Sequence, residues 1–244
     1  SENQNERAIE HFKKALEIAS KNAYKNKETQ AYLGLGYFYR TNNQNYEAMR
    51  NYEKALEIAS ETGFKNEETQ AYLELGYVYR SDNQNQRAIE HFEKALKISS
   101  EQENKNQETQ AYLELGYVYR SDNQNQRAIE HFEKALKISS EQENKNQETQ
   151  AYLELGYVYR SDNQNQRAIE HFEKALKISS EQEDKNDETQ AHLELGYVYR
   201  SDNQNQRAIE HFEKALKISS EQEDKNDETQ AHLELGYVYR SDNQ

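Results

Sequence analysis

The sequence predicts an all-α fold, a solenoid of tandem antiparallel helix hairpins. Two observations carry that expectation: the 244-residue chain repeats itself every 40 residues, and each period holds two apolar stripes at helical spacing. Residues 81–120 and 121–160 are identical, as are 161–200 and 201–240. The later pair differs from the earlier at three positions, Asp184 for Asn144, Asp187 for Gln147 and His192 for Tyr152. Residues 1–40 and 41–80 are more diverged but keep the frame. The expected organisation is one array over 1–244, with units 1–40, 41–80, 81–120, 121–160, 161–200 and 201–240 and a terminal turn at 241–244.

The first stripe of a period is Ala71, Tyr72, Leu75, Gly76 and Tyr79, one face of a helix over about 67–81, named helix A. The second is Ala88, Ile89, Phe92, Ala95, Leu96 and Ile98, a helix B over about 85–100. Between them Asn83 is a candidate for the left-handed region, which Asn tolerates better than most residues. Asn85 is then expected to cap helix B, and Asn106 the following helix A. Glu90 with Lys94 and Glu93 with Lys97 are i,i+4 pairs in the favourable order. A lone hairpin cannot bury both stripes, whereas stacked neighbours can, so stability sums over units and their interfaces. A thin array also explains how only 34% hydrophobic residues, at a mean hydropathy of -1.31, can fold.

In residues 69–108 the run Tyr72, Leu75-Gly76, Tyr79, Ala88, Phe92 and Ala95 resembles the tetratricopeptide repeat (TPR), and the frame recurs in every unit. The resemblance implies a right-handed superhelix whose A helices line a concave groove. Ser100 stands where that family closes its unit with Pro, and Asn83 where it places a turn Gly. The period of 40 is similar to the long repeats of kinesin light chains and Pins-type adaptors, which bind extended segments of partner proteins. Those families often carry Asn after Leu-Gly. Here Tyr77 holds that position, as do Tyr37, Tyr117, Tyr157, Tyr197 and Tyr237.

Carried onto matching positions, the expected peptide-binding ladder is Gln70, Leu73, Glu74, Tyr77 and Arg80, then Gln110, Leu113, Glu114, Tyr117 and Arg120. It continues as Glu154, Tyr157 and Arg160, then Glu194, Tyr197 and Arg200. Tyr offers contact area with a polar tip at low entropic cost. The opposing reading has Tyr77 packed between A helices and Glu74 paired with Arg80 of its own or the next unit; the residues leave both open.

His91, His131, His171 and His211 recur on helix B without a second His at i+3 or i+4, so no metal site is expected. His192 and His232 replace a core aromatic, which predicts that the last two units open more readily than the third and fourth. Ser99 and Ser100 have no His and carboxylate at a spacing that suggests a nucleophile, and no glycine-rich phosphate loop is present. No catalysis and no cofactor are expected. A net charge of -14 opposes nucleic-acid binding, and no stretch is long and apolar enough to span a membrane. No signal peptide is visible, the chain starts mid-repeat like a fragment of a longer protein, and a cytoplasmic location is the expectation.

The leading expectation is therefore a non-enzymatic scaffold for an extended or helical segment of a protein partner. A second is a self-assembling array. The chain begins with a B helix and ends with an A helix, and the first unit carries +2 against -4 for each of the last two. Head-to-tail stacking would repeat the internal interface and bring opposite charges together. A regulatory segment of a larger enzyme is the remote third.

Overall fold

A computed structural model describes residues 2–241, with side chains described from residue 6. Of the expected terminal turn at 241–244, residues 242–244 lie outside the described residues. Among the described residues there are twelve helices and no strand. They are α1 (Glu2–Lys21), α2 (Lys25–Thr41), α3 (Asn45–Thr62), α4 (Lys65–Ser81), α5 (Asn85–Glu101) and α6 (Lys105–Ser121), followed by α7 (Asn125–Glu141), α8 (Lys145–Ser161), α9 (Asn165–Glu181), α10 (Lys185–Ser201), α11 (Asn205–Glu221) and α12 (Lys225–Ser241). The even-numbered helices are the A helices. The helices form two compact bodies, α1 to α6 and α7 to α12.

Within a body, an A helix packs most extensively on the B helix that follows it, as α4 does on α5 and α10 on α11. The closest approach falls where the sequence places Gly76. A Cβ there would collide with the Phe92 ring, and Gly36, Gly156 and Gly196 meet Tyr52, Phe172 and Phe212 in the same way. Phe92, Phe172 and Phe212 are fully buried, flanked by Ala88 and Ala95 or their equivalents. Small residues thus let two backbones close on one aromatic ring, which supplies the large apolar burial each hairpin needs.

Both turns use the left-handed region. Asn83 has φ 58°, and the amide of Gln84 returns to the Tyr79 carbonyl at 2.8 Å, as the sequence predicts for an Asn in a helix-ending turn. The B-to-A turn places Glu103 at φ 53° and Gly63 at φ 77°, a feature the sequence reading did not anticipate.

The expected caps are displaced. Residue Gln84, not Asn85, holds the N-cap of α5, and its side chain makes no cap bond. Asn85 instead reaches the next hairpin, donating to Asp122, just as Asn45 donates to Asp82 at 2.6 Å. Asn106 lies inside α6, and Asn104 is the cap, accepting from the Gln107 amide at 3.3 Å. Asp184 does the same for α10 with two amides, at 3.1 and 3.2 Å. The helix begins two residues earlier than expected because Lys105 enters it to reach Glu108 at 2.7 Å. That lysine–carboxylate bond recurs at Lys65 with Glu68, where Ser60 also donates to Glu68 at 2.9 Å. Ser60 occupies the register of the missing Pro, so the hydroxyl there serves a buried carboxylate. Lys94 places its ammonium over the Tyr72 ring at 5.4 Å, a contact the Glu90–Lys94 expectation did not include.

Candidate functional site

The ladder residues share one face of the A helices because positions 70, 73, 74, 77 and 80 recur at helical spacing. In the first body, Arg40 of α2 donates through Nε to Glu74 of α4 at 3.1 Å, and Arg80 of α4 pairs with Glu114 of α6. In the second, Arg160 of α8 pairs with Glu194 of α10, and Arg200 with Glu234 of α12. Each arginine also covers rings. Arg80 lies 5.7 Å from Tyr77 and 5.5 Å from Tyr117, and Arg160 lies 5.7 Å from Tyr157 and 5.6 Å from Tyr197. Arg120 and Arg200 lie over Tyr117 and Tyr197 of their own helices.

Hydrogen bonds close the remaining polar groups. Gln110 donates to the Tyr77 hydroxyl at 2.6 Å, Gln190 to Tyr157 at 2.5 Å and Gln230 to Tyr197 at 2.9 Å. In the first hairpin, where Tyr52 replaces Phe, its hydroxyl donates to Glu74 at 2.8 Å. Tyr77, Tyr157 and Tyr197 set their rings edge-on to Phe92, Phe172 and Phe212 at 5.5 to 5.6 Å. The tyrosines therefore serve two masters, the hairpin core beneath and the next A helix beside.

Burial pushes the Tyr77 and Tyr157 hydroxyls upward, with the nearby ladder carboxylates adding to the shift. The same desolvation pushes Glu114 up, and Glu194 up to about 7, against the pull of Arg80 and Arg160. These pairs link successive A helices with the carboxylate buried, so removing the arginine costs more than breaking an exposed surface pair.

Leu73 and Leu113, expected on the wall, are 4% and 3% exposed and lie beneath it. Glu114, Glu154 and Glu194 are also buried, while Gln70, Gln110 and Gln190 are exposed and the tyrosines and arginines half-exposed. Clefts open on this face. One of about 380 Å³ is lined by Phe12, Leu33, Gly34, Tyr37 and Gln70. Another of about 410 Å³ is lined by Asn186, Gln190, Leu193, Glu194, Tyr197 and Asp227.

The helix B histidines are half-buried against tyrosines, as His91 is against Tyr72 and Tyr79 at 6.0 and 4.9 Å. His192 is buried, with its Nδ1 3.0 Å from that of His211, a polar pairing that sequence reasoning did not foresee. The signal was available, since Tyr152 and His171 hold the same two positions one unit earlier.

The tetratricopeptide repeat profile matches residues 27–101 and 107–181, and further tetratricopeptide repeat profiles match 153–223 and 1–22. The chain belongs to the tetratricopeptide repeat family. Among solved structures it is similar to BtubC from P. vanneervenii, at 24% identity and a TM-score of 0.81, covering 90% of this chain and 92% of that one. It is similar to RapI at 18% identity and 0.69, covering 96% and 95%. A Podosopora anserina putative kinesin light chain with nearly identical TPR-like repeats matches at 22% identity and 0.66, covering 79% and 95%. At these identities the likeness is one of fold. No curated protein sequence matches the chain. TPR repeats in this family are protein-interaction scaffolds. No helix among the described residues is long and apolar enough to cross a membrane.

Proposed function

We propose that this TPR chain is a non-enzymatic scaffold that binds an extended or helical protein segment along the A-helix ladder, in a concave groove. The observation that carries the reading is the closed ladder itself. Within each body, Arg–Glu and Tyr–Gln contacts tie successive A helices at constant register, so that stretch of wall is organised before a partner arrives. Its charges neutralise one another, which leaves tyrosine edges and glutamine amides as the recognition surface, a chemistry common at hot spots. A Rap protein solved with competence and sporulation factor, 18% identical with a TM-score of 0.68, is a fold relative in which a factor is bound.

The test is selection of binding segments from a displayed peptide library against the full chain, followed by cross-link mapping. Bound segments are expected to map to Tyr77, Tyr157 and Tyr197, with affinity little changed by salt. The pair Tyr157→Phe with Gln190→Ala keeps the ring and should weaken binding without lowering the melting temperature. Mapping to the B helices, or binding indifferent to that pair, would contradict the reading.

A further inference from the structure

In α5, α9 and α11 a histidine and an arginine pack on the same tyrosine of the A helix before them, Tyr79, Tyr159 or Tyr199. His91 of α5 packs against Tyr72 and Tyr79, with the guanidinium of Arg87 over Tyr79 at 5.6 Å and the Lys94 ammonium over Tyr72 at 5.4 Å. Arg167 and Arg207 cover Tyr159 and Tyr199 at 4.8 and 5.4 Å. An arginine over this tyrosine is thus a fixed part of the later hairpins.

The hairpin of α2 and α3 keeps both tyrosines, as Tyr32 and Tyr39, and changes what surrounds them. In the 40-residue register Asn51 stands for His91, Glu47 for Arg87, Arg50 for Glu90 and Glu57 for Lys97. Lys54 keeps its place but pairs with Glu57 at 2.7 Å. Asn51 donates to the Glu47 carbonyl at 2.7 Å, as His91 does to that of Arg87 at 2.8 Å. What is lost is the ring that packs against the tyrosines. A cleft of about 450 Å³ results, lined by Tyr32, Tyr39, Glu47, Arg50, Asn51 and Lys54. Among the described residues no cation covers either ring, and Glu47 forms no salt bridge. The local charge is also reversed. Glu47, Glu53 and Glu57 stand against Arg50 and Lys54, where α5 sets Glu90 and Glu93 against Arg87, Lys94 and Lys97.

We propose that the cleft between α2 and α3 binds the guanidinium of an arginine side chain from a partner polypeptide, stacked on Tyr39 and paired with Glu47. The ligand would supply from outside the group that Arg87, Arg167 and Arg207 supply from within. Guanidinium is favoured over ammonium because its plane can stack on the ring while its edge meets a carboxylate. The carboxylate now stands where the internal arginine would be rooted, so it selects for a cation and against a repeat-like filling. This site involves residues outside the A-face ladder and stands independently of the ladder's role.

The test is a titration of the full chain with Nα-acetyl-arginine methylamide, followed by the NMR signals of the tyrosine rings, with Tyr39→Phe used for assignment. Saturable shifts at Tyr39 and Tyr32 are expected, with the lysine analogue weaker by roughly fivefold or more. The double variant Glu47→Arg with Asn51→His reproduces residues already present in α5, so it should fold and should lose the saturable response. Equal responses to the arginine, lysine and uncharged citrulline analogues would overturn the proposal. So would shifts spread over all the tyrosines, or an unchanged response in the double variant.

Discussion

Glu103, Glu143, Glu183 and Glu223 hold φ between 53° and 61°, a region that costs an L-residue with a Cβ roughly 1 kcal/mol. Gly63 occupies the same register at φ 77° with open space around its Cα. Glu103→Gly is therefore expected to stabilise the chain by about 0.5–1 kcal/mol, read from the denaturant midpoint. The opposite holds at Gly76→Ala, where the new methyl would meet the buried Phe92 ring; about 1–3 kcal/mol should be lost. The turn at 103 was legible only by comparing units, because Glu carries no local signal for positive φ while Gly63 does. Asn83 was legible directly, since its side chain tolerates that conformation. The caps were misplaced because Asn occurs at 104 and 106 alike, and the choice depends on where Lys105 must stand to meet Glu108. Titration follows burial. Desolvation holds His131, His171, His192 and His211 down at about 4, with the His211 ring adding to the shift at His192. The unfolded imidazoles titrate near 6.5, so between the two values the unfolded chain binds protons that the native chain does not. Stability is then fully present above about 6.5 and falls as pH drops toward 4. Glu114 and Glu194, raised by burial, act in the opposite sense but are fewer. Denaturant midpoints should fall from pH 7 to pH 5; a flat or rising profile would contradict this.

At the scale of the helix, each hairpin is fixed by a small-residue approach and one aromatic ring, and successive hairpins are joined by polar contacts. Apolar stripes and the Gly–Phe meeting were visible in the sequence because they follow helical periodicity and the 40-residue register. The partners of Arg80 and Glu74 were not, because register alone allows an arginine to reach its own helix or the next. The structure sends Arg80 forward to Glu114, which is 8% exposed. Arg80→Ala would leave that carboxylate buried and unpaired. The half-exposed arginine moderates the cost to about 1–2 kcal/mol, and Glu114→Gln in the same chain should recover part of it. Hydrogen exchange reads the elements separately. In α10 the replacement of Tyr152 by His192 removes a large ring and leaves a neutral imidazole pair. Amides of α10 and α11 should exchange faster than those of α8 and α9, and equal protection would count against a weakened core there.

At the scale of the whole molecule, a unit is stabilised by itself and its sequence neighbours, and by nothing farther away. Fold class and family were legible because near-identical units repeat the same pattern many times. The partner is less legible, since the wall that would meet it is built of residues that first satisfy one another. The identity of residues 81–120 and 121–160 permits a direct test. Deleting 121–160 joins Arg120 to Ser161, a junction identical in sequence to the one removed. The shortened chain should keep the same helicity per residue and fold cooperatively, with only a lower denaturant midpoint. Loss of helicity per residue, or a chain that no longer folds, would contradict the claim that neighbour contacts alone hold the array.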